Sequence, residues 1–147
     1  MKLQGNASLA VPKAAVWSML TDPEHLTALL PRGEILAEDD ATWRARLSAP
    51  TALGDSTFAF TFTLLERRPE EHVRITGHGR ASQNVVDLIA DLDLSEVDDG
   101  TEVRWESDVR FGGVLASLGQ RSLRYVVQKQ VEDVFLKMEA QHLGVPT

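Results

Sequence analysis

The chain has 147 residues, of which 43% are hydrophobic and 25% charged, and this composition predicts one globular domain over residues 1–147 with a hydrophobic core. It contains no cysteine, which excludes disulfides, thiolate zinc sites and thiol catalysis and agrees with a reducing, cytoplasmic location. The formal charge of −7 argues against a nucleic-acid partner, and the short apolar runs allow at most transient membrane contact.

The first 31 residues predict a strand followed by two short helices. Apolar or small side chains alternate with polar ones over residues 2–11, which is the period of a strand with one solvated face. Pro12 suits the start of a first helix, and Asp22 before Pro23 is an N-cap signal for a second helix. Pro31 ends that second helix.

The rest of the chain predicts six strands and one long helix. Turn signals separate strands at 34–38, 42–49, 56–67, 72–80, 84–97 and 101–111. The last strand has charged residues at even positions and apolar or small ones at odd positions, and Gly112 and Gly113 follow it. A helix is then predicted over 115–142, ended by Gly144 and Pro146. Its predicted inward stripe is Ala116, Gly119, Leu123, Val127, Val131, Val134 and Met138.

These elements predict an α+β helix-grip fold. In it a seven-stranded antiparallel sheet wraps around the long C-terminal helix, and the two short helices follow strand 1. Such a sheet is able to enclose a pocket. The inward positions of the strands carry no acid, base or histidine, so the sequence predicts binding rather than catalysis and no catalytic residue.

The candidate ligand-binding residues come from these inward positions. They are Trp43, Phe58, Phe60, Phe62, Leu88, Trp105, Ser107, Gly119 and Leu123. The alternative for the aromatic residues is an ordinary core, because any half-buried sheet favours them. For Gly119 the alternatives are close helix-to-sheet packing or space for a ligand.

No metal site or cofactor is predicted. His72 and His78 lie six residues apart on the outward face of one strand, which is about 20 Å and too far for a single metal ion. Asp87, Asp91 and Asp93 share one strand face, as a solvated face does by default. These residues are therefore interpreted as surface residues.

A surface strip is also predicted on the long helix. Leu115, Leu118 and Tyr125 fall away from its inward stripe and would form an exposed apolar docking surface. The alternative is that they contact the two short helices.

Several motifs together resemble one family. They are the opening Met1-Lys2-Leu3-Gln4-Gly5, the helix start from Val11-Pro12-Lys13 to Val16-Trp17, Leu20-Thr21-Asp22-Pro23, Leu30-Pro31 before Gly33-Glu34, and the segment 115–121. In order and spacing the chain resembles the CoxG-like family, named for the G subunit of carbon monoxide dehydrogenase. This family belongs to the SRPBCC superfamily, which includes START and Bet v 1-like proteins. The chain departs from it at Arg32, where members often carry cysteine, and at 77–84, where they often have a glycine-rich hairpin.

The resemblance implies a cavity for a hydrophobic small molecule that is quinone- or lipid-like. It also implies an accessory role beside a molybdenum-containing dehydrogenase. The first functional hypothesis is thus non-catalytic ligand binding. A helix-grip enzyme of the cyclase or dehydratase type is an alternative, for which only Ser107 and Glu66 offer polar groups. A protein-binding adaptor is the third hypothesis.

Overall fold

The computed structural model describes residues 1–51 and 54–143, and it contains one sheet and three α-helices within them. The strands are β1 (Lys2–Leu9), β2 (Glu34–Asp39), β3 (Thr42–Thr51), β4 (Gly54–Arg68), β5 (His72–Ala81), β6 (Asn84–Val97) and β7 (Gly100–Gly113). The helices are α1 (Lys13–Thr21), α2 (Pro23–Leu29) and α3 (Gln120–His142), with a short 3-10 helix at Val114–Ser117. Part of the predicted turn at 50–54, namely residues 52 and 53, lies outside the described residues, as do Gly144 and Pro146.

The sheet confirms the predicted fold class. Its strand order is β1-β7-β6-β5-β4-β3-β2, and every neighbouring pair is antiparallel. The first strand pairs with the last one, so the N-terminus lies beside the segment that leads into α3. α3 packs against one face, here called the inner face, and the other is the outer face.

The alternation of side chains assigns the two faces as the sequence predicts. Along β4, Phe58, Phe60 and Phe62 are buried on the inner face, and the residues between them point outward. Along β7, Val103 and Val109 are buried, while Arg104 and Arg110 are exposed. One face therefore supplies the core and the other carries the charges.

The two short helices begin and end near the residues that the sequence indicates. Pro12 precedes α1, and the Asp22 side chain accepts a hydrogen bond from the Glu24 backbone N–H (3.2 Å) to cap α2. These helices bury Val16, Leu20, Leu26, Thr27 and Leu29. They thus close one side of the core.

The start of the long helix differs from the prediction. β7 continues to Gly113, the 3-10 helix follows, and α3 begins only at Gln120, so a single helix from residue 115 is wrong. Leu118 and Gly119 adopt extended backbone conformations between the two helices. The Leu115 N–H bonds to the Asn84 side chain (2.9 Å), and Gly119, a poor helix former, serves as the N-cap of α3.

Candidate ligand-binding cavity

A cavity of about 310 Å³ lies between the inner face of the sheet and α3. Its sheet wall consists of Leu47, Phe58, Phe60, Phe62, Ile75, Val86, Leu88, Ala90, Leu92, Trp105, Ser107, Val109 and Phe111. Its helical wall consists of Leu20, Leu26, Leu30, Pro31, Leu115, Leu118, Leu123, Val126, Val127, Gln130, Val131, Val134 and Phe135. This volume is at the lower end of the range of small-molecule sites.

The cavity wall is almost entirely hydrocarbon. Among the described residues, Ser107 and Gln130 are the polar ones on the wall, and no Asp, Glu, His, Lys or Arg reaches it. Neither a serine hydroxyl nor a glutamine amide titrates near neutral pH, so the wall has no general acid or base of its own. The arrangement suits the burial of an apolar molecule.

The structure places most of the predicted ligand-binding residues on this wall. They are Phe58, Phe60, Phe62, Leu88, Trp105, Ser107 and Leu123. Whether they contact a ligand stays a prediction. Two predicted residues, Trp43 and Gly119, do not line the cavity.

Trp43 lies behind the cavity wall. Its side chain is 1% exposed, and its indole N–H donates to the Thr27 hydroxyl (3.0 Å). Its ring centroid lies 5.3 Å from that of Phe62, which separates it from the empty space. Trp43 therefore packs against the wall residue Phe62 and does not form the wall itself. This agrees with the alternative interpretation of Trp43 as an ordinary core residue.

Gly119 lies outside α3, exposed to solvent, so both sequence interpretations of it are wrong. A β-carbon built there meets no atom within 4 Å among the described residues, so neither tight packing nor ligand space explains the glycine. Ala116 is likewise exposed and leaves the predicted inward stripe. The break at Leu118 and Gly119 turns both residues away from the sheet.

Replacing Gly119 by serine is expected to leave the protein intact. Its φ of −62° and ψ of 151° are open to any residue, and serine is a good N-cap. The free energy of unfolding should stay the same or rise by a few tenths of a kcal/mol. Urea denaturation checks this expectation, and a loss above about 1 kcal/mol would show that the glycine has a packing role.

The aromatic wall of the cavity rests on glycines of neighbouring strands. Phe60 lies directly opposite Gly79, Phe62 opposite Gly77, and Trp105 opposite Gly5. A β-carbon on Gly79 would stand 2.5 Å from the Phe60 ring. The rings of Phe60 and Phe62 are stacked, with centroids 5.1 Å apart and planes at 5°. The missing side chains let the rings lie against the sheet, which leaves the space below α3 empty.

Sequence reasoning missed Gln130 as a wall residue. It lies seven positions after Leu123, and two helical turns return a residue to nearly the same face. The helical wheel alone was thus sufficient to find it. The sequence did not indicate that Leu30 and Pro31 line the cavity, because their positions depend on how the end of α2 packs onto the sheet.

The predicted surface strip does not form. Leu115 is buried and Leu118 half-buried, and both line the cavity. Tyr125 alone of the three is exposed, at 68%. The reason is the helix break before Gln120, which places Leu115 and Leu118 on a separate segment from Tyr125.

The outer face of the sheet carries paired charges. His78 bonds to Asp87, and His72 Nδ1 lies 2.8 Å from an Asp93 carboxylate oxygen. A wider, open groove of about 550 Å³ crosses this face, but its wall contains Asp87, His78 and Arg110. Because the charged side chains of this groove are exposed to water and Asp87 already bonds to His78, the apolar cavity between the sheet and α3 is the better ligand site.

One cluster on this face has the residue types of a metal site. The ligand atoms of Glu66, His72 and Asp91 lie within 4.8 Å of one another, and His72 lies on the outer face, as predicted, with its side chain 12% exposed. Arg74 Nε donates to Asp91 (2.9 Å) and another guanidinium nitrogen to Glu66 (3.4 Å). The hydrogen bond and charge of Asp91, with the charge of Glu66, raise the pKa of Arg74 above its ordinary value. The guanidinium already compensates these carboxylates, so we assign no metal here.

Comparison with solved structures defines the fold class of the protein. A conserved protein from Geobacillus kaustophilus has a TM-score of 0.91 at 21% identity, with 98% of this chain and 96% of that chain covered. TTHA0849 from Thermus thermophilus has a TM-score of 0.69 at 15% identity, with 98% of both chains covered. Ara h 8.0201 has the same TM-score at 16% identity, with 98% of both chains covered. The fold is thus that of the Bet v 1-like helix-grip proteins.

The sequence assigns the family within this class. Residues 5–142 match the CoxG family, described as the G subunit of carbon monoxide dehydrogenase, and the chain belongs to that family. No curated protein matches the sequence significantly. No helix in the described part of the chain is long and apolar enough to cross a membrane.

Proposed function

We propose that the protein binds a hydrophobic small molecule, quinone- or lipid-like, in the cavity between the sheet and α3 and does not transform it. The observation that carries this proposal is the apolar wall of the cavity, to which the described residues contribute no ionisable side chain. Burial of apolar ligand surface would supply the binding free energy, at roughly 25 cal/mol per Å² of area removed from water. Contacts with Phe58, Phe60, Phe62, Leu88, Trp105, Ser107 and Leu123 form part of the proposal.

The absence of catalysis in this proposal follows from the wall chemistry. Proton transfer at a buried substrate requires a group whose pKa lies near the working pH, within hydrogen-bond reach. Ser107, the polar group on the sheet wall, has no histidine or carboxylate on the described wall to activate it. Turnover of any ligand that disappears in a correctly folded Ser107→Ala variant would contradict the non-catalytic proposal.

Replacing Ala90 by phenylalanine should block binding without unfolding the protein. Ala90 lies on the cavity wall in the middle of β6, where a larger ring would occupy the empty space. We expect the affinity for the neutral fluorophore N-phenyl-1-naphthylamine to fall at least about tenfold, because the ring takes up ligand volume. The melting temperature should stay the same or rise, since filling a cavity adds packing contacts.

The matched control for this variant is Ile89→Phe on the same strand. Ile89 points to the outer face and is 48% exposed, so the same ring there should leave probe affinity unchanged. Fluorescence titration of both variants and the wild type is the measurement. Unchanged probe affinity in Ala90→Phe, with the Ile89→Phe control folded, would remove the cavity as the binding site.

We further propose that the protein acts as an accessory to a molybdenum-containing dehydrogenase in the cytoplasm. The family description supports the partner, and the lack of cysteine supports a reducing compartment. Native mass spectrometry of protein purified from its own organism, before and after organic extraction, tests the ligand. Genes for such a dehydrogenase beside the gene for this chain would support the partner, and their absence would count against it.

A further inference from the structure

We propose that the outward face of α3 is a homodimer interface, on which a second copy of this chain packs its own α3 in the antiparallel direction. Two features of the helix carry this proposal. Two large apolar side chains are exposed on one side of it, and the charges along it follow an order that an antiparallel copy complements. This face points away from the cavity, so the dimer does not depend on the proposed ligand.

The apolar part of this face consists of Tyr125 and Leu136. They lie eleven positions apart, which is about three turns, so both side chains point to the same side of α3. Their exposed fractions are 68% and 63%, whereas Leu123, Val127 and Val131 on the opposite side of the helix line the cavity. The two side chains therefore offer a partner helix an aligned apolar area that binding would remove from water.

The charges of α3 change sign along its length. Its first half, residues 120–130, has three cations and no acid, and its second half, residues 131–142, has three acids and one lysine. The cations are Arg121, Arg124 and Lys129, and the acids are Glu132, Asp133 and Glu139. The helix dipole favours the reverse order, with acids near the N-terminus and cations near the C-terminus. The stability of α3 itself therefore does not account for this order.

Contacts within the described residues engage some of these charges only weakly. Arg124 donates to the backbone carbonyl of Lys2 (3.2 Å), and Lys129 lies 3.5 Å from Asp133, one turn further along the helix. In the second pair the lysine precedes the acid, which is the less favourable orientation on a helix, and the two side chains are 53% and 37% exposed. Because exposed pairs of this kind contribute little to stability, Lys129 remains available to an acid of a second copy.

An antiparallel second copy brings the complementary groups together in one register. With the twofold axis near the middle of the helix, between residues 130 and 131, this register forms one apolar contact and two ion pairs. From one copy to the other, they join Tyr125 to Leu136, Lys129 to Glu132 and Arg121 to Glu139. Each contact occurs twice because the interface is symmetric. A parallel copy would instead place the two cation-rich halves against each other, which is unfavourable.

The interface is small, so the dimer should be weak. A helix of 23 residues is about 34 Å long, and a single pair of such helices buries less than the roughly 800 Å² per partner of a standard interface. We expect a dissociation constant on the order of 10–100 μM, and a weaker dimer at high salt because the ion pairs are screened. Sedimentation velocity from about 1 μM to about 1 mM protein, at about 0.05 M and 0.5 M sodium chloride, measures both properties.

Leu136→Lys tests the apolar contact. It removes the side chain that faces Tyr125 of the second copy, and it adds a cation near Arg121 and Lys129 of that copy. The dissociation constant should therefore rise at least about tenfold. Leu65→Lys is the matched control, because Leu65 is 42% exposed on β4, and it should leave the dissociation constant unchanged. Since both leucines are exposed, both variants should remain folded, which circular dichroism checks.

Lys129→Glu and Glu132→Lys test the antiparallel orientation. Either substitution alone places like charges in contact at both copies of the ion pair, so each variant should have a dissociation constant at least about tenfold higher than the wild type. In an equimolar mixture of the two variants, each copy supplies the charge that the other requires. Heterodimers should then form with about the wild-type affinity. A general change in folding would not produce this recovery.

Four results would overturn the proposed dimer. The first is a monomer at every concentration up to about 1 mM. The second is a dimer that Leu136→Lys does not weaken, because another face would then hold the two copies together. The third is a mixture of Lys129→Glu and Glu132→Lys that associates no better than either variant alone. The fourth is a protein that stays monomeric in solution but cosediments with phosphatidylglycerol vesicles, which would assign the face to a lipid surface.

Discussion

Replacement of Trp43 by alanine is expected to lower the free energy of unfolding by about 3–5 kcal/mol, the usual cost of truncating a buried large aromatic residue. The ring is 1% exposed, and its centroid lies 5.3 Å from that of Phe62. The substitution leaves a cavity and also leaves the Thr27 hydroxyl, on a residue that is 2% exposed, without its indole partner. Because small domains are stable by only about 5–15 kcal/mol, urea denaturation should show a large shift in the midpoint.

Two further substitutions separate the cost of the cavity from the cost of the unpaired Thr27 hydroxyl. Trp43→Phe keeps most of the ring but removes the indole N–H, so it should cost about 1–3 kcal/mol through the unpaired Thr27 hydroxyl. Adding Thr27→Val in that background removes the hydroxyl as well and should recover part of the loss. A cost below about 1 kcal/mol for Trp43→Ala would show that the ring does not anchor α2 to the sheet.

Replacement of Gly113 by alanine is expected to cost about 3 kcal/mol. Gly113 has φ 77° and ψ −146°, a conformation that essentially only glycine adopts. A β-carbon there would also overlap the backbone carbonyl of Gln83 in the turn between β5 and β6, so the turn itself would have to move. Asn84, the first residue of β6, directly follows this turn and its side chain accepts from the Leu115 N–H, so the 3-10 helix should be displaced as well.

The adjacent glycine provides the control for this prediction. Among the residues that the structure describes, a β-carbon on Gly112 would meet only Val85, at an ordinary contact distance of 3.6 Å. Gly112→Ala should accordingly change the free energy of unfolding by less than about 0.5 kcal/mol. In thermal and urea unfolding, the Gly113→Ala variant should therefore have a clearly lower midpoint than the Gly112→Ala variant. Equal stability would mean that the β7 end tolerates a side chain at Gly113 and that the strand-to-helix turn is adaptable.

The sheet was predictable because its signals are local and repeated. Charged and apolar residues alternate strictly along β7, so a one-residue shift in register would bury charges such as Arg104, and this penalty specifies the inner face. The same logic placed Phe58, Phe60 and Phe62 on one face of β4. The N-cap of α2 was predictable for the same reason, because Asp22 directly before Pro23 is a local sequence signal.

The start of α3 was not predictable in the same way. Leu115 follows two glycines and precedes an amphipathic helix, so periodicity alone extended that helix too far toward the N-terminus. The Asn84 contact that holds Leu115 joins residues 31 positions apart, and no local pattern encodes it. The predictions for Leu118 and Gly119 were wrong because they assumed a helix that starts at residue 115. The structure has a break there, beside the long-range hydrogen bond to Asn84. Trp43 was misplaced for a related reason, since alternation gives the face of the sheet but not the depth of a ring within the core.

The depth of the cavity is set in part by residues that do not line it. Gly79 and Gly77 lie beneath the rings of Phe60 and Phe62, and the absence of their β-carbons lets those rings recline against the backbone. A methyl group at Gly79 would tip the Phe60 ring toward α3, so the floor of the binding site would rise although every wall residue stayed the same. The size of the molecule that the proposed binding site admits should therefore depend on the small residues of β5 as well as on the residues that line the cavity. Engineering a shallower or deeper site should begin at these positions.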